Sequence, residues 1–431
     1  MEFSRRARSM LLRTAVGQNR MRLRRGTAEL WRRLAKAPHR VEYFHQVDDP
    51  YSHLAAQALS RLTDRYEIEL VPHLVAQPTD AATPEREMLT AYARRDAAAV
   101  APHFEISFQD PGRQPQNAAV RRTERALAAA LAGGPFAELA PRLGEALWSG
   151  REDPAGLATP EATAERLAEG SERRKALGHY LGATFHYGGE WYWGIDRLGH
   201  LEKRLAALGA CRTPGTATFA PPSEACEARG ARELTLEYFP SLRSPYTYIS
   251  MPRVFSLAEQ TGVKLVLRPV LPMVMRGLSV PMQKGLYIFE DTAREAQRVG
   301  LPFGRVVDPV GRPVERAYSL FPWAREQGRA AELLLGFARG AFAEGIDTGS
   351  DTGIRKIVEG AGLGFEQARG VLDSEDWRGE IGENQQTLYA LGLWGVPSFR
   401  LRGPVGSPDF STWGQDRIFL LSREIARRTP G

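Results

Sequence analysis

The chain has 431 residues, 43% of them hydrophobic and 25% charged, enough for two domains of roughly 150–200 residues with sizeable cores. No apolar run approaches the roughly 18–20 residues that span a bilayer, and the first residues lack the roughly 7–15-residue apolar stretch of a secretory signal, so a cytoplasmic protein is expected. The net charge of +6 hides a division: residues 1–40 hold twelve Lys or Arg against Glu2 and Glu29, a local balance of +10 that leaves the remainder at −4. The folded part is not basic, no RNA-module or zinc-finger pattern occurs, and nucleic acid is not an expected partner.

Residues 1–40 read as a basic leader. From Arg5 to Arg40 it has the spacing of an amphipathic helix, with Met10, Leu11, Leu12, Val16, Leu23, Leu30, Trp31 and Leu34 as apolar contributors. Such a helix can rest on anionic lipid, act as an organelle transit sequence, or pack on its own protein.

Residues 41–210 form the first expected domain. Strand 41–45, helix 51–62 and strand 67–71 make a β-α-β unit. Several helices follow between Pro84 and Leu177, then strands 182–187 and 190–192 and a helix 197–208. His45, Asp48, Asp49 and His53 gather at the first strand-helix junction, where they read either as solvated capping residues or as a weak metal set.

A Thr/Pro/Ala-rich stretch from Thr213 to Ser223 marks a linker within residues 211–232. It is flanked by Cys211 and Cys226, neither in a Cys-x-x-Cys pair, and both are expected as free thiols in a reducing cell.

Residues 233–431 repeat the plan: strand 233–239, helix 245–260 and strand 264–267, closed by Arg268-Pro269. Helices are expected at 285–299, 314–327, 330–344, 352–361, 364–372 and 375–391, then a strand at 398–401, a ragged loop at 403–410 and a helix from near Asp416 to Arg427.

The two parts share more than order. Val41-Glu42-Tyr43-Phe44 leading to Asp49-Pro50-Tyr51-Ser52 is echoed by Leu236-Glu237-Tyr238-Phe239 leading to Ser244-Pro245-Tyr246-Thr247. Trp193-Gly194-Ile195-Asp196-Arg197 is echoed by Trp413-Gly414-Gln415-Asp416-Arg417. Self-similarity of this kind signals tandem copies of one unit. The expected class is α/β: two tandem thioredoxin-like domains of the DsbA type, each with a helical insertion. All eight His lie between His39 and His200, and no Cys follows Cys226, so the second copy holds no Cys-His pair and no His/Cys metal site.

Ser244-Pro245-Tyr246 after a strand, Arg268-Pro269, the helix carrying Gly285-Leu286-Tyr287, Asp291 and Arg294, then Gly395-Val396-Pro397-Ser398-Phe399 and Trp413-Gly414-Gln415-Asp416-Arg417 are together similar to the 2-hydroxychromene-2-carboxylate isomerases. These are relatives of kappa-class glutathione transferases within the DsbA-like thioredoxin superfamily. The resemblance covers about residues 233–428. It implies a glutathione-dependent isomerase or transferase acting on an aromatic or conjugated small molecule.

The resemblance also assigns roles. Ser244 would hold the glutathione thiolate at a helix N-terminus, where the dipole and free amides favour an anion and lower a thiol pKa from about 8.5 toward neutrality. Val396-Pro397 would be the family's cis-proline, with Val396 pairing to the tripeptide backbone. Gln415 and Asp416 would cap the last helix and bind the γ-glutamyl end, and Arg268 would complete an anionic pocket. Tyr287, Phe289 and Trp394 are candidates for stacking on an aromatic ligand. No metal is expected.

The departures are specific. The family's Lys after the Arg-Pro strand and its Asn in the loop before the middle helices fall where this chain reads Met273-Val274-Met275-Arg276 and Arg312-Pro313-Val314-Glu315, leaving Arg276 as a substitute cation and no replacement for the amide. In the first copy Asp49 stands at the Ser244 position and Gly182-Ala183 at the Val396-Pro397 position, so that copy is not expected to bind glutathione. The rivals are a DsbA-like oxidoreductase without Cys-x-x-Cys and a non-enzymatic scaffold.

Overall fold

The structure is a computed structural model describing residues 2–213, 215 and 217–429, with the side chains of residues 2–6, 15, 18 and 19 left outside the description. Pro214 and Thr216 of the expected linker lie outside the described residues. The chain divides into two compact units, residues 22–222 and residues 223–431 together with 1–21.

Two helices open the chain, α1 (Glu2–Val16) and α2 (Gln18–Leu34). The 22–222 unit continues with β1 (His39–His45), α3 (Pro50–Gln57), α4 (Leu59–Arg65), β2 (Ile68–Leu74), α5 (Arg86–Val100), α6 (Asn117–Leu131), α7 (Phe136–Trp148), α8 (Pro160–Ala176), β3 (Thr184–Tyr187), β4 (Glu190–Trp193) and α9 (Leu198–Ala207). The other unit holds β5 (Thr235–Phe239), α10 (Pro245–Thr261), β6 (Lys264–Leu267), α11 (Met282–Arg298), α12 (Arg312–Glu326), α13 (Ala330–Arg339), α14 (Asp351–Gly360), α15 (Phe365–Ala368), α16 (Trp377–Ala390), β7 (Ser398–Arg402), β8 (Phe410–Trp413) and α17 (Ile418–Arg428).

Each unit contains one four-stranded sheet, ordered β2-β1-β3-β4 and β6-β5-β7-β8. In both, the central strand runs parallel to the strand reached through a helical crossover and antiparallel to the first strand of a closing hairpin. Central strands covered on both faces lose their polar alternation, as β1 shows with Val41, Tyr43, Phe44 and even Glu42 and His45 buried. In both sheets an aromatic pair stacks across the central antiparallel ladder: Tyr43 on Phe185 at 4.8 Å and Tyr238 on Phe399 at 5.2 Å.

Three expectations change in detail. β2 runs through Pro72 to Leu74, three residues beyond the expected end. Pro72 is tolerated because β2 is an edge strand, where a missing N–H breaks no second ladder. The expected helix 51–62 is two helices meeting at Ala58. The expected single leader helix breaks at Gly17, and its parts fall in different units.

α1 packs by its apolar edge. Leu12 and Val16 enter the main core of the 223–431 unit beside residues such as Phe289, Val306 and Phe342. Arg13 Nε donates to the Val306 carbonyl at 2.6 Å, and Ser9 Oγ accepts from the Asp308 amide at 3.0 Å. α2 is tied to its own unit by Arg25, which donates to both oxygens of the buried Glu190 carboxylate at 2.7 and 3.0 Å.

Candidate active site

The site grows from the end of β5. Five residues beyond Phe239, Ser244 opens α10 as its N-cap, and its Oγ accepts from the Thr247 amide at 3.2 Å. Pro245 takes the first helical position, where its fixed φ and missing N–H carry no penalty. α10 ends at Gly262 with φ +77, a left-handed cap that a side chain would strain. Below the cap, Tyr238 Oη donates to the Thr247 carbonyl at 3.2 Å, and the Ser241 amide donates to Thr247 Oγ1 at 3.3 Å. Thr247 is fully buried, whereas Ser244 is half-buried.

The second element of the site comes from β7. Phe239 pairs with Ser398, so the residues just before Ser398 lie at the same sheet edge from which the chain passes to α10. There the Val396–Pro397 peptide is cis. The Pro397 carbonyl accepts from the Gly414 amide at 2.9 Å, fixing the Trp413-Gly414 turn beside it. Gly414 has φ +119, and a Cβ there would stand 2.7 Å from Asp416 Oδ1, so the Asp416 carboxylate folds back over that turn. Its side chain keeps 22% of its surface exposed.

An aromatic and cationic wall adjoins the cis peptide. Trp394 and Trp413 meet with ring centres 5.1 Å apart. Gly395 is obligatory between them, because a Cβ would lie 2.1 Å from the Trp413 indole. Lys284, in the first turn of α11, places its ammonium 5.7 Å from the Trp394 ring centre, and burial pulls its pKa down to about 8. Arg276 Nη2 donates to the Trp394 carbonyl at 2.9 Å. Beneath, Tyr246 Oη donates to Asp291 Oδ2 at 2.7 Å, and Arg294 Nη2 donates to Asp291 Oδ1 at 2.9 Å.

Three residues expected to meet a ligand have partners within the protein. Arg268 donates through Nε and Nη2 to Glu237 Oε1 at 2.9 and 2.7 Å and through Nη1 to Asn384 Oδ1 at 3.2 Å. It neutralises a buried strand carboxylate, which Arg400 also approaches at 3.3 Å. Gln415 is buried, accepting from Arg253 Nη1 and donating to Glu295 Oε2 at 3.0 Å. It joins α10 to α11 instead of capping the last helix, and neither the 3-10 turn Gln415–Arg417 nor α17 has a side-chain cap bond. Phe289 lies in the core against Phe303 and Phe342 at 6.3 and 6.1 Å. Ser244 follows β5 and Val396–Pro397 precedes β7 at the end of the sheet where Phe239 pairs with Ser398, and Asp416 lies beyond the Gly414 turn that is hydrogen-bonded to Pro397, whereas Arg268 and Gln415 have intramolecular partners. Lys284 and Arg253 went unnoticed in the sequence. A lysine one position before the expected helix 285–299, and inside the observed α11, was the available signal for the first.

The 22–222 unit repeats this framework with other chemistry. Asp49 caps α3, its carboxylate accepting from the Tyr51 and Ser52 amides at 3.2 and 3.1 Å and from Ser52 Oγ at 2.9 Å. Tyr43 Oη donates to the Ser52 carbonyl at 2.8 Å, the Gln46 amide to Ser52 Oγ at 3.1 Å, and Tyr51 Oη to Asp96 Oδ2 at 2.8 Å. The Gly194 amide donates to the Ala183 carbonyl at 2.8 Å, as Gly414 does to Pro397. Ala183 adopts φ +54 and Pro397 a cis bond.

Desolvation lifts the Asp49 carboxyl to about 6, against the hydrogen bonds from Ser52 and Tyr51 that favour its anion. Burial lowers His45 to about 3 and His53 to about 4, so both imidazoles are neutral near pH 7. Asp49 is spent on the helix cap, and His45 Nδ1 lies 2.8 Å from Tyr43 Oη. Among the described residues no three His, Cys, Asp or Glu gather as a metal would require.

A strand-helix-strand unit, a long helical insertion and a hairpin-helix closure around a capped helix and a cis-proline define a thioredoxin-type domain. Residues 235–426 match the DsbA-like thioredoxin domain family, so the C-terminal half of the chain is a DsbA-like thioredoxin domain. Among solved structures, a 2-hydroxychromene-2-carboxylate isomerase is similar at 21% identity over 45% of this chain and 95% of its own, with a TM-score of 0.38. A probable DsbA oxidoreductase from Streptomyces coelicolor is similar at 23% identity over 46% and 92%, with a TM-score of 0.36. The cytosolic disulfide reductase DsbM from Pseudomonas aeruginosa, in its structure with GSH, is similar at 21% identity over 45% and 96%, with a TM-score of 0.35. No curated protein matches the chain.

Proposed function

We propose that the chain is a glutathione-dependent isomerase or transferase acting on an aromatic or conjugated small molecule, with its chemistry in the DsbA-like domain. The observation that carries this reading is the half-buried Ser244 hydroxyl at the N-terminus of α10, on the sheet edge that also bears the cis Val396–Pro397 peptide.

The residues suit a thiol-bearing peptide at its sulfur end. Ser244 Oγ uses a lone pair on the Thr247 amide, which leaves its O–H proton to donate to an anion. The first amides of a 17-residue helix add a fixed positive partial charge in the same place. Glutathione, when bound, supplies the thiolate nucleophile that the domain lacks, since Ser244-Pro245-Tyr246-Thr247 holds no cysteine. Val396 is the residue to pair with its backbone and Asp416 the one to meet its ammonium. Arg268 and Gln415, committed to Glu237, Arg253 and Glu295, are left out of that set.

Trp394 and Trp413 form the apolar side of the site for a conjugated substrate, and Lys284 and Arg276 supply its positive side. A reducing, glutathione-rich cytoplasm suits this chemistry. The 22–222 unit reads as a degenerate copy. A carboxylate at Asp49 repels the anion that Ser244 would hold.

Calorimetric titration of glutathione into the full chain, followed by ultraviolet thiolate absorbance, tests the proposal. Binding with a thiolate signal that Ser244→Ala removes is expected. Absence of heat and of thiolate signal in the wild type would sink it and leave the scaffold reading.

A further inference from the structure

We propose that α2 is a membrane-surface helix that docks the protein on anionic phospholipid through Leu23, Leu30, Trp31 and Leu34. These are among the most exposed large apolar side chains described, at 71%, 57%, 67% and 66% of their surfaces. At about 100° per residue, Leu23, Leu30 and Leu34 fall within about 40° of one another, with Trp31 about 80° to one side. They form one stripe along a helix about 25 Å long.

The opposite side of α2 is already committed to the 22–222 unit. Arg25 grips the buried Glu190 carboxylate at 2.7 and 3.0 Å, and Arg24 approaches it at 3.7 Å. Arg32 turns to Glu29 at 2.9 and 2.8 Å and to the Ala37 carbonyl at 2.8 Å. The helix cannot roll to hide its apolar stripe without breaking the pair between Arg25 and the buried Glu190 carboxylate. The stripe is therefore presented outward by construction.

Charge selects the occupant. Arg22, Arg33 and Lys36 are exposed, and Glu29, the one acid on the helix, is held by Arg32 and Arg33. A leader of charge +10 precedes a remainder of −4, so the attraction to a negative surface is local to this part of the chain. An apolar stripe with a basic rim and a flanking Trp matches the boundary between acyl chains and acidic headgroups. Among the described residues no helix is long and apolar enough to cross a membrane, and the contact lies in the interfacial plane.

Flotation of the full chain with vesicles tests this, using phosphatidylglycerol-phosphatidylcholine mixtures against pure phosphatidylcholine. The wild type should float with the anionic vesicles at low salt and be released by high salt. The variant carrying Leu30→Ser, Trp31→Ser and Leu34→Ser should bind at least about tenfold more weakly. All three side chains are exposed, so its circular dichroism should match the wild type. The Arg22→Gln and Lys36→Gln double variant should lose about tenfold or more on anionic vesicles. The proposal is overturned if the wild type does not float with anionic vesicles, or if the triple serine variant floats equally well. It is also overturned if light scattering shows a dimer that these serines dissociate while vesicle binding is absent, since the stripe then belongs to a second copy.

Discussion

The strand-turn-helix of residues 39–57 and that of residues 235–261 keep the same hydrogen-bond frame but differ in charge at its tip, a carboxyl in the first and a neutral hydroxyl in the second. In both, a buried tyrosine in the central strand reaches the carbonyl of the third residue after the cap: Tyr43 to Ser52 and Tyr238 to Thr247. In both, the next tyrosine of the turn holds an aspartate of the following long helix, Asp96 or Asp291. What differs is the cap, Asp49 against Ser244, and the facing loop, Ala183 against cis Pro397. An N-cap needs only a side-chain acceptor, so Asp and Ser serve the helix equally. A neighbouring thiolate tells them apart. Helix capping and the charge at the cap are thus separable at one position.

The largest expected effect comes from moving that difference across. Ser244→Asp preserves the cap of α10 and hence the fold, but sets a carboxylate where the thiolate would lie. Two like charges about 4 Å apart at an effective dielectric of about 20 repel by about 4 kcal/mol. Glutathione titration should show binding weakened by about two to three orders of magnitude, with unchanged thermal unfolding. Ser244→Ala should instead cost about 1 kcal/mol of stability through the lost cap. If Ser244→Asp binds glutathione as tightly as the wild type, Ser244 is a cap and nothing more.

The parts of the site legible in the sequence were those set by local chain. The cap and the proline after it carry their constraint within a few residues, whereas the cis bond at Val396-Pro397 and the role of Asp416 came only through the family resemblance. The partner of Arg268 is not legible in the sequence because it is nonlocal. Glu237 pairs with Val266, and two residues further on, just past the end of β6, comes Arg268. A lone glutamate in an otherwise apolar central strand was the signal that a cation would be drawn inward. The partners of Gln415 are hidden for a related reason, lying on α10 and α11. The break between α1 and α2 was blurred by a leader whose apolar spacing continues across Gly17.

The buried strand glutamates give a second, smaller contrast. Glu237 is surrounded by Arg268, Arg400 and Arg402, none of which can shed its charge. The corresponding Glu42 is met by His73 at 3.0 Å, His186 at 3.7 Å and Arg173 at 2.8 Å. His186 faces Glu42 in the ladder as Arg400 faces Glu237, and His73 sits where Arg268 does. Burial would raise the Glu42 carboxyl, but bonds from His186, His73 and Arg173 hold it well below the usual carboxylate range. Removing the anion strands three arginines beside position 237 in one sheet, but only Arg173 beside position 42 in the other. Glu237→Gln should therefore cost about 2–4 kcal/mol and Glu42→Gln about 1–2 kcal/mol in urea unfolding. Equal losses would show that the choice of cation is immaterial.

The smallest effect separates the two caps by pH. Desolvation raises the folded-state Asp49 carboxyl to about 6 from its ordinary 3.8, so the folded state binds more protons than the unfolded chain between about pH 4 and 6. Stability then falls as pH rises through that window. The ionisation penalty is fully present above pH 6 and relieved toward pH 4. The full shift corresponds to about 3 kcal/mol, and because Asp49 is partly solvent-exposed about 1–2 kcal/mol is expected. Asn keeps the cap without the charge. Asp49→Asn should accordingly slow hydrogen exchange of the α3 amides relative to wild type at pH 7, by a margin that shrinks toward pH 4. Ser244→Asn, which replaces a group with no charge to lose, should show no such pH-dependent margin at α10. A pH-independent difference at α3 would mean that the Asp49 carboxylate is solvated well enough to ionise as it does in the unfolded chain.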